Sequence, residues 1–392
     1  MTSEQMTFLS VLGCSVSGRE ILNKESFDKN QNIESMTYTH QCIPLVYQSC
    51  VWAGMKVPDM WKYQTIYSPI NNAHKLSVQK KVCDKLSVVG IKFAIFKGSS
   101  VAINYPNPDL RGLGDIDILV SEKDFEKAIL QFVDEIKEED AWHKFHFAVT
   151  VDDVTVELHK YITYKTDDEE WEKLSEVMFH ALDEVVYKKY DKWEFPTLQN
   201  KYHALALLHH KRRHLYKNNF VLRMLCDWAC FVKSVDQKEW NEEVYPLIKE
   251  VSMDIFADAF TKCADKYLGF SNHTKTKNVI DEDVIDNLIE VLISCGLSKD
   301  RNNFLANIGA LYSKYNQKHG RIVSFVKTVN EISKKKYSFA KKVYLLPFAW
   351  ICMLFSFVFR KKSKKAELNM IKVDFYARKR NKLYNDLNLK GM

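Results

Sequence analysis

Two aspartates separated by one residue, Asp115 and Asp117, head the run Asp-Ile-Asp-Ile-Leu-Val-Ser, whose apolar alternation reads as a β-strand. Successive side chains of a strand point to opposite faces, so both carboxylates project from one face while Ile116 and Ile118 project from the other. Two negative charges side by side repel unless a cation lies between them. Mg²⁺, held by one or two carboxylates together with substrate phosphates, meets that demand. Upstream, residues 91–96 read as a second apolar strand. They run into the turn Lys97-Gly98-Ser99-Ser100 and then a short helix and loop carrying Arg111. A glycine turn ahead of a helix offers backbone N–H groups and hydroxyls on which a phosphate can rest.

Downstream, residues 144–150 alternate well enough for a strand, and Asp152-Asp153 makes a hairpin turn into Val-Thr-Val-Glu-Leu-His. In that strand Thr155, Glu157 and His159 share the polar face. The combination Phe-Lys-Gly-Ser-Ser, Asn-Tyr-Pro-Asn-Pro-Asp and Arg-Gly-Leu-Gly-Asp-Ile-Asp-Ile-Leu-Val resembles the polymerase-β-type nucleotidyltransferases, in particular an uncharacterised bacterial branch met in polysaccharide-biosynthesis clusters. The resemblance implies an α+β fold, a small mixed-sheet core flanked by helical N-terminal and C-terminal regions. It also implies transfer of an NMP group from an NTP to a small-molecule or glycan-pathway acceptor, through a hydroxyl or a phosphate. On that reading Asp115, Asp117 and Glu157 hold Mg²⁺, and Glu157 helps to activate the acceptor. Gly98, Ser99 and Ser100 grip the phosphates, Arg111 contacts them, Lys97 flanks the turn, and His159 orients Glu157 or meets the acceptor. The bland alternative makes the two aspartates strand-end caps.

Four segments follow from the pattern of apolar residues and breakers: a helical lead-in over 1–85, the catalytic core over 86–165, a helical lobe over 166–325 and a basic, partly hydrophobic tail over 326–392. The lead-in carries helical spacing at Leu76, Val78, Val82 and Leu86, is punctuated by Pro58 and Pro69, and suggests no chemistry. In the lobe, His210 and His214 lie four apart on one helix face, and Asp227 follows in Leu-Arg-Met-Leu-Cys-Asp-Trp. Both elements resemble the family's pattern, with about three more residues between them than that pattern has. Substrate-facing side chains, core packing and zinc ligation all suit such a histidine pair; zinc lacks the Glu of His-Glu-x-x-His and a third ligand.

The net charge of +7 is unevenly placed. Residues 331–392 hold 16 Lys and Arg against 4 Asp and Glu, a balance of +12, which leaves the remainder, 41 against 46, at −5. An acidic body argues against a nucleic-acid partner, although a tRNA-modifying or toxin-type transferase of the same superfamily, or a non-catalytic nucleotide-binding module, are the competing classes. Nine cysteines without a Cys-x-x-Cys pair fit a reducing cytoplasm, and no secretory leader is expected from residues 6–13, which are short and preceded by Glu4. In the tail, seventeen uncharged residues, 343–359, lie between Lys341-Lys342 and the cluster Arg360, Lys361, Lys362, Lys364 and Lys365. At 1.5 Å per residue they span about 25 Å, the lower limit for a bilayer. Basic flanks on both sides favour contact of 341–365 with the inner membrane surface over a crossing. Packing against the protein itself is the alternative.

Overall fold

The computed structural model describes residues 1–21, 24–25, 27–136, 146–162, 169–296, 321–358 and 370–389. It divides into two compact units, one of residues 1–212 and 221–289, the other of 213–220 and 290–392.

The first unit opens with helices α1 (Ser3–Ser17), α2 (Ile43–Trp52) and α3 (Asp59–Val88). Thr2 caps α1 with a reciprocal box: its hydroxyl accepts from the Gln5 N–H, and the Gln5 side chain accepts from the Thr2 N–H. Helix α3 runs thirty residues straight through Pro69, where a break was expected. A proline in a helix interior removes one hydrogen bond and crowds the preceding turn. Two things offset that cost here: Ser68 donates to the Asp109 carbonyl at 2.7 Å, and the second half of α3 buries Leu76, Val78, Val82, Cys83 and Leu86 against the sheet.

Six strands form one mixed sheet in the order β3-β4-β2-β1-β6-β5. They are β1 (Phe93–Ile95), β2 (Ile116–Val120), β3 (His146–Val151), β4 (Val154–His159), β5 (Val185–Tyr190) and β6 (Trp193–Leu198). The nucleotidyltransferase-like α+β architecture read from the sequence is the one observed, with helical flanks on both sides of the core. Asp152 and Asp153 take positive φ in the two-residue β3–β4 turn, with Val151 facing Val154 in register. One sheet face carries Phe93, Ile95, Ile116, Ile118, Val120, Phe147, Val149, Val151, Val154, Val156 and Leu158 into a core closed by α3 and helix α4 (Phe125–Leu130). At ~25 cal/mol per Å² of apolar surface, this face is the main source of the core's stability.

The β5–β6 hairpin lies inside the stretch expected to be wholly helical. Its strands carry lysines at 188 and 189 and a proline at 196, which mask the alternation of Val186, Phe195 and Thr197. β6 joins β1 in parallel through a single register pair, Ile95 with Thr197, so a proline there forfeits little. Helices α5 (Asn200–Tyr216), α6 (Leu222–Ser234) and α7 (Asp254–Leu268) follow. The nine cysteines carry no disulfide.

The second unit holds helices α8 (Arg321–Lys336), α9 (Leu346–Val358) and α10 (Met370–Asp386). Arg380 of α10 is buried and donates to the Leu215 carbonyl at 3.2 Å, with Asn218 a further partner. Ala340, Leu346 and Ala349 are buried together, and the Trp350 indole donates to Asn330 at 3.0 Å. Val343, Tyr344, Phe348 and Ile351 stay exposed, at 70, 73, 57 and 48%. Over residues 343–351 the apolar segment therefore has both buried and exposed side chains, where the sequence offered only one or the other. The basic cluster 360–365 lies outside the described residues. Among those described, no helix is long and apolar enough to cross a membrane.

Candidate active site

Strands β2 and β4 are parallel neighbours, and their register sets Asp117 directly beside Glu157 and Leu119 beside His159. Because the partners share a face, Asp117, Glu157 and His159 emerge together on the side of the sheet opposite the apolar core. Their ligand atoms all lie within 4.8 Å of one another. Ala148 of β3 is the neighbour of Glu157 and leaves room beside it, whereas His146 faces His159 with ring centroids 5.0 Å apart. Phe96 meets the His159 ring edge-on at 5.2 Å.

Asp117 is buried, and three polar contacts converge there. The Lys97 ammonium donates to its Oδ1 at 2.5 Å, and His159 Nε2 lies 3.1 Å from the same oxygen and 3.1 Å from Glu157 Oε2. Burial opposes ionisation of Asp117, yet the Lys97 charge and the His159 hydrogen bond overcome it and hold the carboxyl well below its ordinary range. The His159 hydrogen bond likewise lowers Glu157. Asp115 precedes β2 by one residue and stands outside the tight cluster. Partial burial and the neighbouring Asp117 and Glu157 charges raise its carboxyl. The pair read from sequence as equivalent is thus one paired carboxylate and one repelled one.

The glycine turn supports this cluster from the side. Gly98 has φ 59° and ψ −110°, a combination open to glycine alone, and its backbone passes close to the Asp115 carbonyl, which a Cβ at Gly98 would meet at 3.5 Å. The Ser99 hydroxyl donates to Gln79 Oε1 at 2.6 Å, and Ser100 donates to the Lys97 carbonyl at 3.2 Å and lies 3.4 Å from His203 Nε2. Both serines are buried and their hydroxyls are hydrogen-bonded within the protein, and the side chain this turn sends to the cluster is that of Lys97.

Arg111, expected on a phosphate, is instead held by Asp227 of α6 in a bidentate pair, Nε to Oδ1 at 3.1 Å and Nη2 to Oδ2 at 2.8 Å. The Tyr105 hydroxyl donates to the same carboxylate at 2.7 Å. Against the cost of burial, the Arg111 charge lowers Asp227 to about 2. The loop before β2 is also tied to α3: Asn72 donates to the Asp109 carbonyl at 3.1 Å and the Arg111 carbonyl at 3.3 Å and accepts from the Leu113 N–H at 2.9 Å, while Lys75 donates to the Leu113 carbonyl at 2.5 Å. Ser68, Asn72, Lys75 and Gln79 recur at helical spacing, a polar stripe visible in the sequence once α3 is read as unbroken.

On α5 the histidine that reaches the turn is His203, buried and pushed down to about 3 by burial and by Lys188, so it is neutral. His210 is half-buried, and His214 Nδ1 lies 3.3 Å from the Asn219 carbonyl. Among the described residues neither belongs to a metal-ligating cluster.

A mixed sheet with carboxylates on two neighbouring parallel strands, flanked by a glycine turn, marks the class of the nucleotidyltransferases. The chain belongs to a family described as uncharacterised nucleotidyltransferases, whose model matches residues 29–269. Neither the curated proteins nor the solved structures gave a match. The matched span takes in the whole sheet and Asp227, and ends before α8, α9 and α10.

Proposed function

We propose that the protein is a divalent-metal-dependent nucleotidyltransferase that moves an NMP group from an NTP to a hydroxyl or phosphate of a small-molecule or glycan-pathway acceptor. The observation that carries this reading is the register pair Asp117–Glu157 with His159 bridging them, set beside the Gly98 turn in a chain of nucleotidyltransferase descent. The donor set fits a hard cation: two carboxylates point at one spot, and an ammonium and an imidazole nitrogen are already drawn to it. Asp117 and Glu157 would hold the ion, with Asp115 flanking them. Mg²⁺ bound there supplies neutralisation of the charge that develops on the transferring phosphoryl group.

The protein's own residues do the rest. Glu157, whose carboxyl is kept ionised, accepts a hydrogen bond from the acceptor hydroxyl and takes up its proton. The backbone of the Gly98 turn approaches the phosphates. Arg111 acts through position: locked to Asp227, it fixes the loop that aims Asp115 and Asp117. Exposed Val343, Tyr344, Phe348 and Ile351, with Lys341 and Lys342 beside them, support a peripheral place for the enzyme at the inner face of the membrane.

A thermal-shift screen of the four NTPs with Mg²⁺ tests the reading. A ligand at 100 times its Kd raises stability by about 2.7 kcal/mol, which is readily measured. At least one NTP should stabilise the wild type and not Asp117→Asn, and labelled NTP should then be turned over. Four NTPs without effect, with Mg²⁺ or Mn²⁺ present, would sink it.

A further inference from the structure

The cation nearest the carboxylate cluster is one the chain supplies itself. Lys97 Nζ sits 2.5 Å from Asp117 Oδ1, and its side chain lies across the Phe96 ring with the ammonium 5.0 Å from the centroid. The oxygen it holds belongs to one of the two carboxylates that would hold a metal. An ammonium and a divalent ion repel strongly in so dry a place, and Asp117 is only 7% exposed. Lys97 also immediately precedes Gly98, so its flexible four-carbon stem is rooted at the turn, and exchanging β2 for a ligand held at the turn would need rotation of that stem alone. Lysine suits such an exchange because its charge is compact and its donors rotate freely.

We infer that Lys97 is an exchangeable counter-ion: it neutralises Asp117 while the site is free of metal, and it passes to the phosphates of the bound nucleotide when the metal arrives. This deepens the nucleotidyltransferase reading and rests on it. It has a thermodynamic consequence. A phosphate chain that captures Lys97 frees Asp117 for the metal, and a metal that displaces Lys97 frees it for phosphate, so each ligand tightens the other by the same factor.

The test uses the full chain and Mn²⁺, with the free ion followed by its electron paramagnetic resonance signal. Without nucleotide, Lys97→Met should bind Mn²⁺ at least tenfold more tightly than wild type, because its competitor is gone. Lys97→Arg, which keeps a cation, should stay near wild type. With inorganic tripolyphosphate as the probe and Mn²⁺ held fixed, Lys97→Met should bind at least tenfold more weakly. A gain in metal affinity is not what damaged folding produces, and Lys97→Gln serves the same comparison if the methionine variant does not fold. Equal or weaker Mn²⁺ binding by the neutral variants, in a protein whose Mn²⁺ binding is lost in Asp117→Asn, overturns the inference alone. Unchanged tripolyphosphate affinity does the same. Absence of Mn²⁺ binding in wild type and Lys97→Met alike overturns the nucleotidyltransferase reading and the inference with it.

Discussion

Asp115 and Asp117 carry the same side chain two residues apart, and their surroundings push them in opposite directions. Repulsion between like charges, all that the sequence offers, leads one to expect that neutralising either would stabilise the fold. Burial and the charges of Asp117 and Glu157 raise Asp115, so that expectation holds for it: Asp115→Asn should melt at the same temperature or higher at pH 7 while losing turnover. Asp117 is the hub of an ion pair, and Asp117→Asn strands Lys97, so it should lower stability by about 1–3 kcal/mol. Thermal melts of the two variants side by side separate the cases, and a rise for both would refute the pairing. Asp227 gives the pH dependence. Its carboxyl is depressed to about 2, so its contribution is fully present above the ordinary carboxylate value near 4 and drains away as pH falls toward 2. Asp227→Asn should therefore cost about 3–5 kcal/mol at pH 7, because it leaves the Arg111 charge buried and unpaired. The gap to wild type should narrow in urea titrations between pH 4 and pH 2, and a gap independent of pH would contradict the pair. Arg111 also shows why roles were harder to read than identities. Its nearness to Asp115 in sequence suggests a phosphate contact, and the carboxylate that holds it in the fold lies 116 residues away, beyond the reach of any local pattern.

Strands β1 to β4 were legible because a period of two and an apolar face leave little freedom: a slip of one residue would bury Asp117 and Glu157 in the core and expose Ile118 and Leu158. Helix α3 and the β5–β6 hairpin were less legible, since each contains a proline whose local cost is outweighed by packing that the sequence does not display. The polar stripe of α3 is hidden in the sequence for a related reason. Read as two pieces, the helix assigns no common face to Ser68, Asn72, Lys75 and Gln79; read as one, they clamp the loop before β2 and the glycine turn. Asn72→Ala removes three hydrogen bonds to that loop and should cost about 2 kcal/mol in urea denaturation. It should also weaken Mn²⁺ binding although it touches none of the carboxylates. Metal affinity equal to wild type would show that the clamp has no part in aiming Asp115 and Asp117. At the turn, Gly98→Ala asks an L-residue to hold φ 59° and ψ −110°, a strain of about 1–3 kcal/mol in the melt.

At the scale of the whole molecule, the basic balance and a set of exposed apolar side chains fall in the same part of the chain. The first 330 residues balance at −5 and the last 62 at +12, and four large apolar side chains stand exposed within the segment that follows Lys341 and Lys342. Ala340, Leu346 and Ala349 pack inward and Trp350 is tied to Asn330, so the segment is anchored by its small residues and one indole while Val343, Tyr344, Phe348 and Ile351 face out. An acidic body is repelled from an anionic bilayer, so the attachment we propose rests on this segment, with its flanking lysines in the headgroups and the apolar side chains in the interface. Each basic residue near such a surface contributes about 1 kcal/mol, which makes the attachment sensitive to salt. Sedimentation with anionic vesicles at low salt should carry the wild type down. Replacing Lys361, Lys362, Lys364 and Lys365 with Gln should leave it in the supernatant, as should Val343→Ser together with Tyr344→Ser, both with turnover in solution unchanged. Trp350→Ser is the internal control: it breaks an inward contact, so it should lower the melting temperature, whereas the outward pair should not. Wild-type protein that stays in the supernatant at low salt would remove the membrane from the picture.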